Sequence, residues 1–278
     1  MQTQLTLTQE IEINDGLDKF LLEEILLIVQ NSDILALVSY WGHQKLKIDE
    51  ADEQFFKRVF LSINALIKAN ALKRNYGRIE NILINEIEKD PSIKKSNIDI
   101  LFNKVDALVL AEGFFSQIKS ALDLLAQSLK PIFGIEFHTW ERKKELSGQR
   151  IVDALSNNLN KDLKQHALPL INLINIHSKY LTKIIIHRDS SIHYGKLTKV
   201  QGFRYSVSHK KVIPPLILIN KGESAYLHDY LNEVLKYIAD FIQEFIITLL
   251  SNLLPDMKIA KRIDNTWGWV TNGVKSKK

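Results

Sequence analysis

Three residues past the middle of the chain, Arg188, Asp189 and His193, have the types and spacing to handle a proton beside an anion. They close the stretch LPLINLINIHSKYLTKIIIHRDSSIHYG, residues 168–195, whose apolar positions recur at helical spacing. Along it Ile174, His177, Leu181, Ile184 and Arg188 step by 3, 4, 3 and 4 residues, so Arg188 continues the apolar seam. An arginine is seldom buried without a partner, and its planar fork matches a carboxylate or a phosphate. Asp189 and His193 stand four apart, neighbours on one helical face. A carboxylate there orients the imidazole and favours its protonated form. His193 lies about 140° around an ideal helix from Arg188. The two therefore flank a cleft, particularly one made between two copies of the helix, rather than form a tight pair. His177 shares the seam and reads as a satisfied core histidine.

Spacing alone is not specific. Arg204 and His209 repeat the same Arg-x4-His interval on a predicted strand and its turn. That copy reads as coincidence or as a phosphate contact. What separates the first copy is its place at the end of a long apolar helix.

The elements that must position it read as follows. Residues 1–16 form a polar arm, with one short strand through Leu5, Leu7, Ile11 and Ile13. Asp15 caps a helix from Leu17 to about Gln30, and Ile34–Trp41 is ambiguous between strand and helix. Asp49 opens a helical pattern through Phe55, Phe56, Val59, Phe60, Ile63, Leu66 and Ile67 that continues past Gly77 to Pro91. On it Lys73, Arg74 and Arg78 are either phosphate contacts or, more in keeping with surface bias, a solvated face. Pro91 and the polar PSIKKSN segment mark a boundary. Asn97 caps a bundle helix from about Ile98 to Leu129, with Leu101, Val105, Leu108, Phe115, Leu122 and Leu129 at heptad-like steps. Glu112 falls within that stripe, either facing a cation or marking where solvent breaches it.

The segment GIEFHTWERKKELSGQR reads as an irregular or loosely helical connection. Ile151, Leu155 and Leu159 give a short helix, and Pro169 opens the long one. Phe203–Val207 and Val212–Ile219 read as two strands around a His209-Lys210 turn, with Pro214 and Pro215 confining the second to an edge or breaking it. Ser224 caps a last long helix stopped by Pro255. The resulting division is an N-terminal helical region (1–95), a helical bundle with a hairpin near 198–220 (96–256) and a basic tail (257–278).

In this context the chain resembles the HEPN superfamily, whose signature is an arginine, a polar residue and, a few positions on, a histidine at the end of a bundle helix. HRDSSIHYG matches it, with Arg188, Asp189 and His193 in those places. FFSQIKSALDLLAQSLKPIFG resembles the earlier bundle helix of prokaryotic HEPN proteins. The likeness covers roughly residues 97–254 and omits the N-terminal third. It implies a mainly α, HEPN-like bundle with an inserted β-hairpin. It also implies a metal-independent endoribonuclease acting as a homodimer with a composite site. His193 would serve in acid–base catalysis as a ribose 2′-hydroxyl attacks the adjacent phosphate, Arg188 would stabilise the phosphoryl charge, and Asp189 would orient one of them. Products would be a 2′,3′-cyclic phosphate and a 5′-hydroxyl. Many such proteins are toxins or antiviral defence effectors, which implies an antitoxin or defence partner. Others have lost catalysis and serve as RNA-, nucleotide- or protein-binding modules. Lys183, Lys196 and Lys199 are either RNA contacts or ordinary exposed lysines.

Composition narrows the alternatives. With 45% hydrophobic and 25% charged residues in 278, the chain is ordinary globular material. Zero cysteines exclude disulfides and thiolate metal sites, and they fit a cytoplasmic location. There is no secretory pattern at Met1 and no apolar run long enough for a membrane span. The net charge of +5 is gathered at Arg142–Lys144, Lys179–Arg188, Lys196–Lys211 and the tail, which suits either a polyanion or a solvated face. No HExxH, Gly-rich phosphate loop or GxSxG elbow is present. No metal or other cofactor is expected.

Overall fold

The computed structural model describes residues 50–102, 105–143, 146–194, 200–220, 223–253, 257–261 and 267–271. The expectations for residues 1–49, Lys196 and Lys199 lie outside these. The described chain is mainly helical with small antiparallel sheets.

The first helix, α1, spans Glu50–Lys89 without a break at Gly77. Phe55, Val59, Ile63, Leu66 and Ile67 recur every three or four residues and are buried, so one stripe faces the core. It ends at Asp90, which accepts from Ser92 N (2.8 Å) and caps a single turn, α2 (Pro91–Lys94), with proline at the position that lacks a bond anyway. The next long helix, α3 (Val105–Gln127), packs along α1. Ser62 Oγ donates to Ala121 O across that contact (2.8 Å). The α1 side chains thus belong to the same core as those of the later helices.

α3 starts later than its heptad pattern implies. Ile100–Phe102 instead form strand β1, which pairs with Phe203–Tyr205, and Asn97 caps nothing helical. Asp99 accepts from Val207 N (2.9 Å). A short apolar run reads alike as helix or strand, and its partner lies about a hundred residues away. Glu112 is half-buried beside the row Ala111, Phe114, Phe115 and Ile118 rather than in it.

After one turn at α4 (Lys130–Phe133), a loop leads to a two-residue hairpin, β2 (Arg142–Lys143) with β3 (Leu146–Ser147), and then to α5 (Gln149–Asn157). The long helix α6 runs Lys161–Tyr194. Pro169 lies inside it and not in its first turn. Asn160 starts the helix earlier, its Oδ1 accepting from Leu163 N (2.9 Å). Packing of Ala167, Leu170 and Ile171 outweighs the bond that the proline omits.

The predicted second strand breaks at Pro214-Pro215. β5 (Phe203–Ser206) and β6 (Lys211–Ile213) join β1 in one sheet, ordered β1-β5-β6. β4 (Val200–Gln201), β7 (Leu216–Asn220) and β8 (Glu223–Tyr226) form another, ordered β4-β7-β8. Lys210 makes the turn with φ 49°. Ser224 is therefore a strand residue opposite Leu218, and the last long helix, α7 (Leu227–Leu253), begins after it with Leu227 N bonded to Pro215 O (2.8 Å). The basic tail contains a further antiparallel pair, β9 (Met257–Lys261) with β10 (Trp267–Thr271).

Two close approaches lock the helices together. A Cβ on Gly77 of α1 would meet His228 of α7 at 2.6 Å. Beside it Tyr76 O–H donates to the buried carboxylate of Glu80 (3.0 Å), and His228 Nδ1 stands 3.8 Å from that carboxylate. Burial pushes the Glu80 pKa above its ordinary 4.5, although the Tyr76 hydrogen bond and His228 pull the other way. Gly148, with φ +78°, leads into α5 where a Cβ would meet Ile174 at 2.8 Å and the Trp140 ring at 3.0 Å.

Both contacts predict stability changes. Gly148→Ala should lower the unfolding free energy by about 2 kcal/mol, through backbone strain and overpacking together. A raised carboxyl pKa means that the folded state holds its proton longer than the unfolded chain. The Glu80 contribution is thus full below pH 4.5 and lost as pH rises through the raised value. Urea unfolding across that interval should show Glu80→Gln with a flatter decline than wild type, and more stable than wild type at neutral pH.

Candidate functional site

The site forms where the end of α6 meets α3 and the loop before β2. Ile184, Ile185 and His187 are buried on the inner face of α6. The His187 ring sits 5.1 Å from Phe115 and 5.4 Å from Tyr230, so α6 is held from both neighbouring helices at this level. With those positions turned inward, Arg188 and Asp189 fall at the rim, their side chains 32% and 22% exposed. Arg188 keeps the face of α6 that carries Leu181, Ile184 and Ile185, but there that face opens on a groove, so its side chain is only partly buried.

Arg188 Nη1 donates to Asp189 Oδ1 (3.2 Å). The Asp189 carboxylate thus meets the adjacent arginine, and its expected pairing with His193 falls on a side chain outside the described residues. The backbone of His193 continues α6, one turn beyond Asp189. Its side chain lies outside the described residues, as do those of Lys196 and Lys199. Lys183 is exposed on α6 and does not line the groove.

That groove has a volume of about 460 Å³ and is lined by Lys119, Asp123, Thr139, Trp140, Glu141, Ile185, Arg188 and Asp189. Sequence reasoning missed its α3 and loop walls. The available signal was Lys119 and Asp123, an i,i+4 charge pair inside the apolar stripe of α3. Lys119 is buried and ion-paired with Asp123. The same Asp123 oxygen accepts from Trp140 N (2.6 Å). The Trp140 side chain is fully buried and meets Phe241 and Phe245 of α7 edge-on, at 5.5 and 6.0 Å. Further along, Gly148 N donates to Glu141 O (3.0 Å), and Ser147 N donates to Thr182 Oγ1 (2.8 Å) on α6. The loop is thereby held to α3, α6 and α7 in turn. Exposed Arg150 pairs with Glu141.

Among the described residues the lining carries two cations, Lys119 and Arg188, against three carboxylates, Asp123, Glu141 and Asp189. The bond to Asp189 occupies one of the five N–H groups of a guanidinium. Arg188 thus keeps donors that can turn towards an oxyanion. Among the described residues no group of acidic and histidine side chains could hold a metal ion, and no helix is long and apolar enough to cross a membrane.

Two further histidines, His177 and His209, are each held by polar neighbours away from this groove. His177 Nδ1 meets Tyr237 O–H (2.6 Å) and its Nε2 lies 3.3 Å from Glu244. The ring is thus held between a phenol and a carboxylate of α7. Burial, with Glu244, pushes the Tyr237 pKa up to about 12, so the phenol stays protonated. His177 is the satisfied core histidine expected of it. His209 Nδ1 bonds Ser206 and Ser208 (2.9 Å each) inside its own turn, while Arg204 is exposed on β5.

Truncating Asp123 leaves a buried ammonium and a backbone N–H without their acceptor. Asp123→Ala should lower stability by about 3 kcal/mol. Lys119→Met in the same chain should recover much of that loss, read as a coupling in denaturant unfolding. Comparison with models of known protein families, with curated proteins and with solved structures finds no match.

Proposed function

We propose that this chain is a metal-independent endoribonuclease of HEPN type, acting as a homodimer in which two α6 ends face one another across the substrate. One observation carries the reading. The Arg188–Asp189 pair sits half-exposed in a walled groove at the end of a long bundle helix, with His193 following one turn later on the same helix. Arg188 meets the scissile phosphate with its remaining N–H groups, and Asp189 fixes the fork that presents them. A His193 imidazole takes the proton of the ribose 2′-hydroxyl as that oxygen attacks phosphorus. An imidazolium, from the same or the second copy, gives a proton to the departing 5′-oxygen. The bond formed is 2′-O–P and the bond broken is P–5′-O, which leaves a 2′,3′-cyclic phosphate and a 5′-hydroxyl. Water enters no step, and neither does a metal. A role as a toxin or defence effector, controlled by an antitoxin or other partner, is the biological setting that goes with this activity.

A second reading has its own observation. Among the described residues carboxylates outnumber cations in the groove, which suits a ligand offering both donors and acceptors better than a bare polyanion. On that reading the chain is a catalytically inactive module that binds RNA, a nucleotide or a protein through Arg188.

Incubation with total RNA in chelator separates them. Wild type should cleave, Arg188→Ala and His193→Ala should each lose at least about 100-fold in rate, and the fragments should carry cyclic phosphate ends. Equal RNA breakdown by wild type and both variants would exclude the ribonuclease.

A further inference from the structure

Resting on the ribonuclease reading, we propose that a second cavity is a nucleotide subsite for the same single-stranded RNA, continuing the track that passes Arg188. This cavity, about 590 Å³, lies where the start of α1 meets α4 and the loop that follows it. Its volume falls within the range of small-ligand pockets.

The case begins with charge. Among the described residues the Arg188 groove holds more carboxylates than cations, so these side chains alone do not supply the electrostatic attraction on which RNA affinity depends. Among the described residues the second cavity has the opposite balance, with Arg58 and Lys130 against Glu136. Lys130 and Glu136 are paired at 2.8 Å, but both side chains are more than half exposed, at 57% and 53%. Such a pair is worth little, and a phosphate can replace the carboxylate.

Continuity comes from the backbone. Glu136, Phe137 and His138 line this cavity, and the next three residues, Thr139, Trp140 and Glu141, line the Arg188 groove. On α3 the wall passes from Asp123 to Gln127, one helical turn and about 6 Å along the axis. Asp123 holds Trp140 N, and Gln127 Nε2 holds His138 O (2.8 Å), so the two residues fix successive parts of one loop to one helix. A strand following this loop meets both cavities in order.

The lining suits a nucleotide in particular. Arg58 and Lys130 serve a phosphate, and the Gln54 amide offers a donor and an acceptor to a base edge. Exposed His138 offers a ring on which a base can stack.

The test uses fluorescent oligoribonucleotides of two and eight residues, fully 2′-O-methylated so that they cannot be cut, with anisotropy read at several salt concentrations. Arg58→Ala/Lys130→Ala should weaken the eight-mer at least tenfold, and the loss on the two-mer should be smaller. The slope of log affinity on log salt should fall by about 0.7, for the one phosphate that both side chains serve on a single strand. Lys211→Ala/Lys236→Ala removes the same charge from exposed sites elsewhere and should bind as wild type does. Equal eight-mer affinity and slope in wild type and Arg58→Ala/Lys130→Ala would overturn the subsite. So would an equal loss in the control pair, which would make the effect one of net charge. Cleavage of unmodified RNA by wild type and Arg188→Ala, run alongside, reports on the ribonuclease separately. A length-dependent binding loss without Arg188-dependent cleavage keeps the subsite and removes the nuclease.

Discussion

The Asp123 carboxylate is the constraint on which the site depends. It sits on α3, yet it holds two groups that could not otherwise be buried together: the Lys119 ammonium and the backbone N–H of Trp140. A buried cation without its acceptor is expensive, and so is an unsatisfied backbone donor. One oxygen answers both. The indole that follows that N–H fills the space against Phe241 and Phe245. The loop carrying Thr139 and Glu141 is therefore tied to α3 and packed on α7, although it has almost no regular structure. Without this clamp the groove beside Arg188 would have only one wall.

Around the clamp, the helices are joined by polar contacts set into an apolar core. His177 spans α6 and α7 through Tyr237 and Glu244, and Tyr180 O–H donates to Glu233 (2.6 Å) on the same seam. Ser62 ties α1 to α3, and the Tyr76–Glu80–His228 cluster joins α1 to α7. Apolar burial supplies most of the stability but has no direction. The polar contacts set register and rotation between helices, which decides that His187 turns inward and Arg188 to the rim. The chemistry proposed for Arg188 thus depends on contacts far from it in sequence.

Much of the helical framework was legible in the residues. The stripe from Phe55 to Ile67, the continuation to Lys89, the short helix at 149–157 and the two long helices all follow from periodicity. So does the turn at His209-Lys210 between β5 and β6. β1 reads as helix because its partner β5 is remote in sequence, and that distant partner overrides a local preference. Ser224 reads as a cap because its place in β8, paired back onto β7, leaves no periodic signal of its own. Pro169 reads as a helix start because the local signal at Asn160 is weaker than a proline.

The sequence by itself determined that the chain is mainly helical, that it has no cysteine chemistry, and that Arg188, Asp189 and His193 share the end of one helix. Those follow from composition and from the fixed pitch of a helix. Only the tertiary structure decided that Asp189 bonds Arg188, that Lys119 and Asp123 complete the groove, and that a loop between residues 134 and 141 walls two adjacent cavities. Spacing along one helix specifies neighbours on that helix. It carries no information about what a second helix and a loop bring against them.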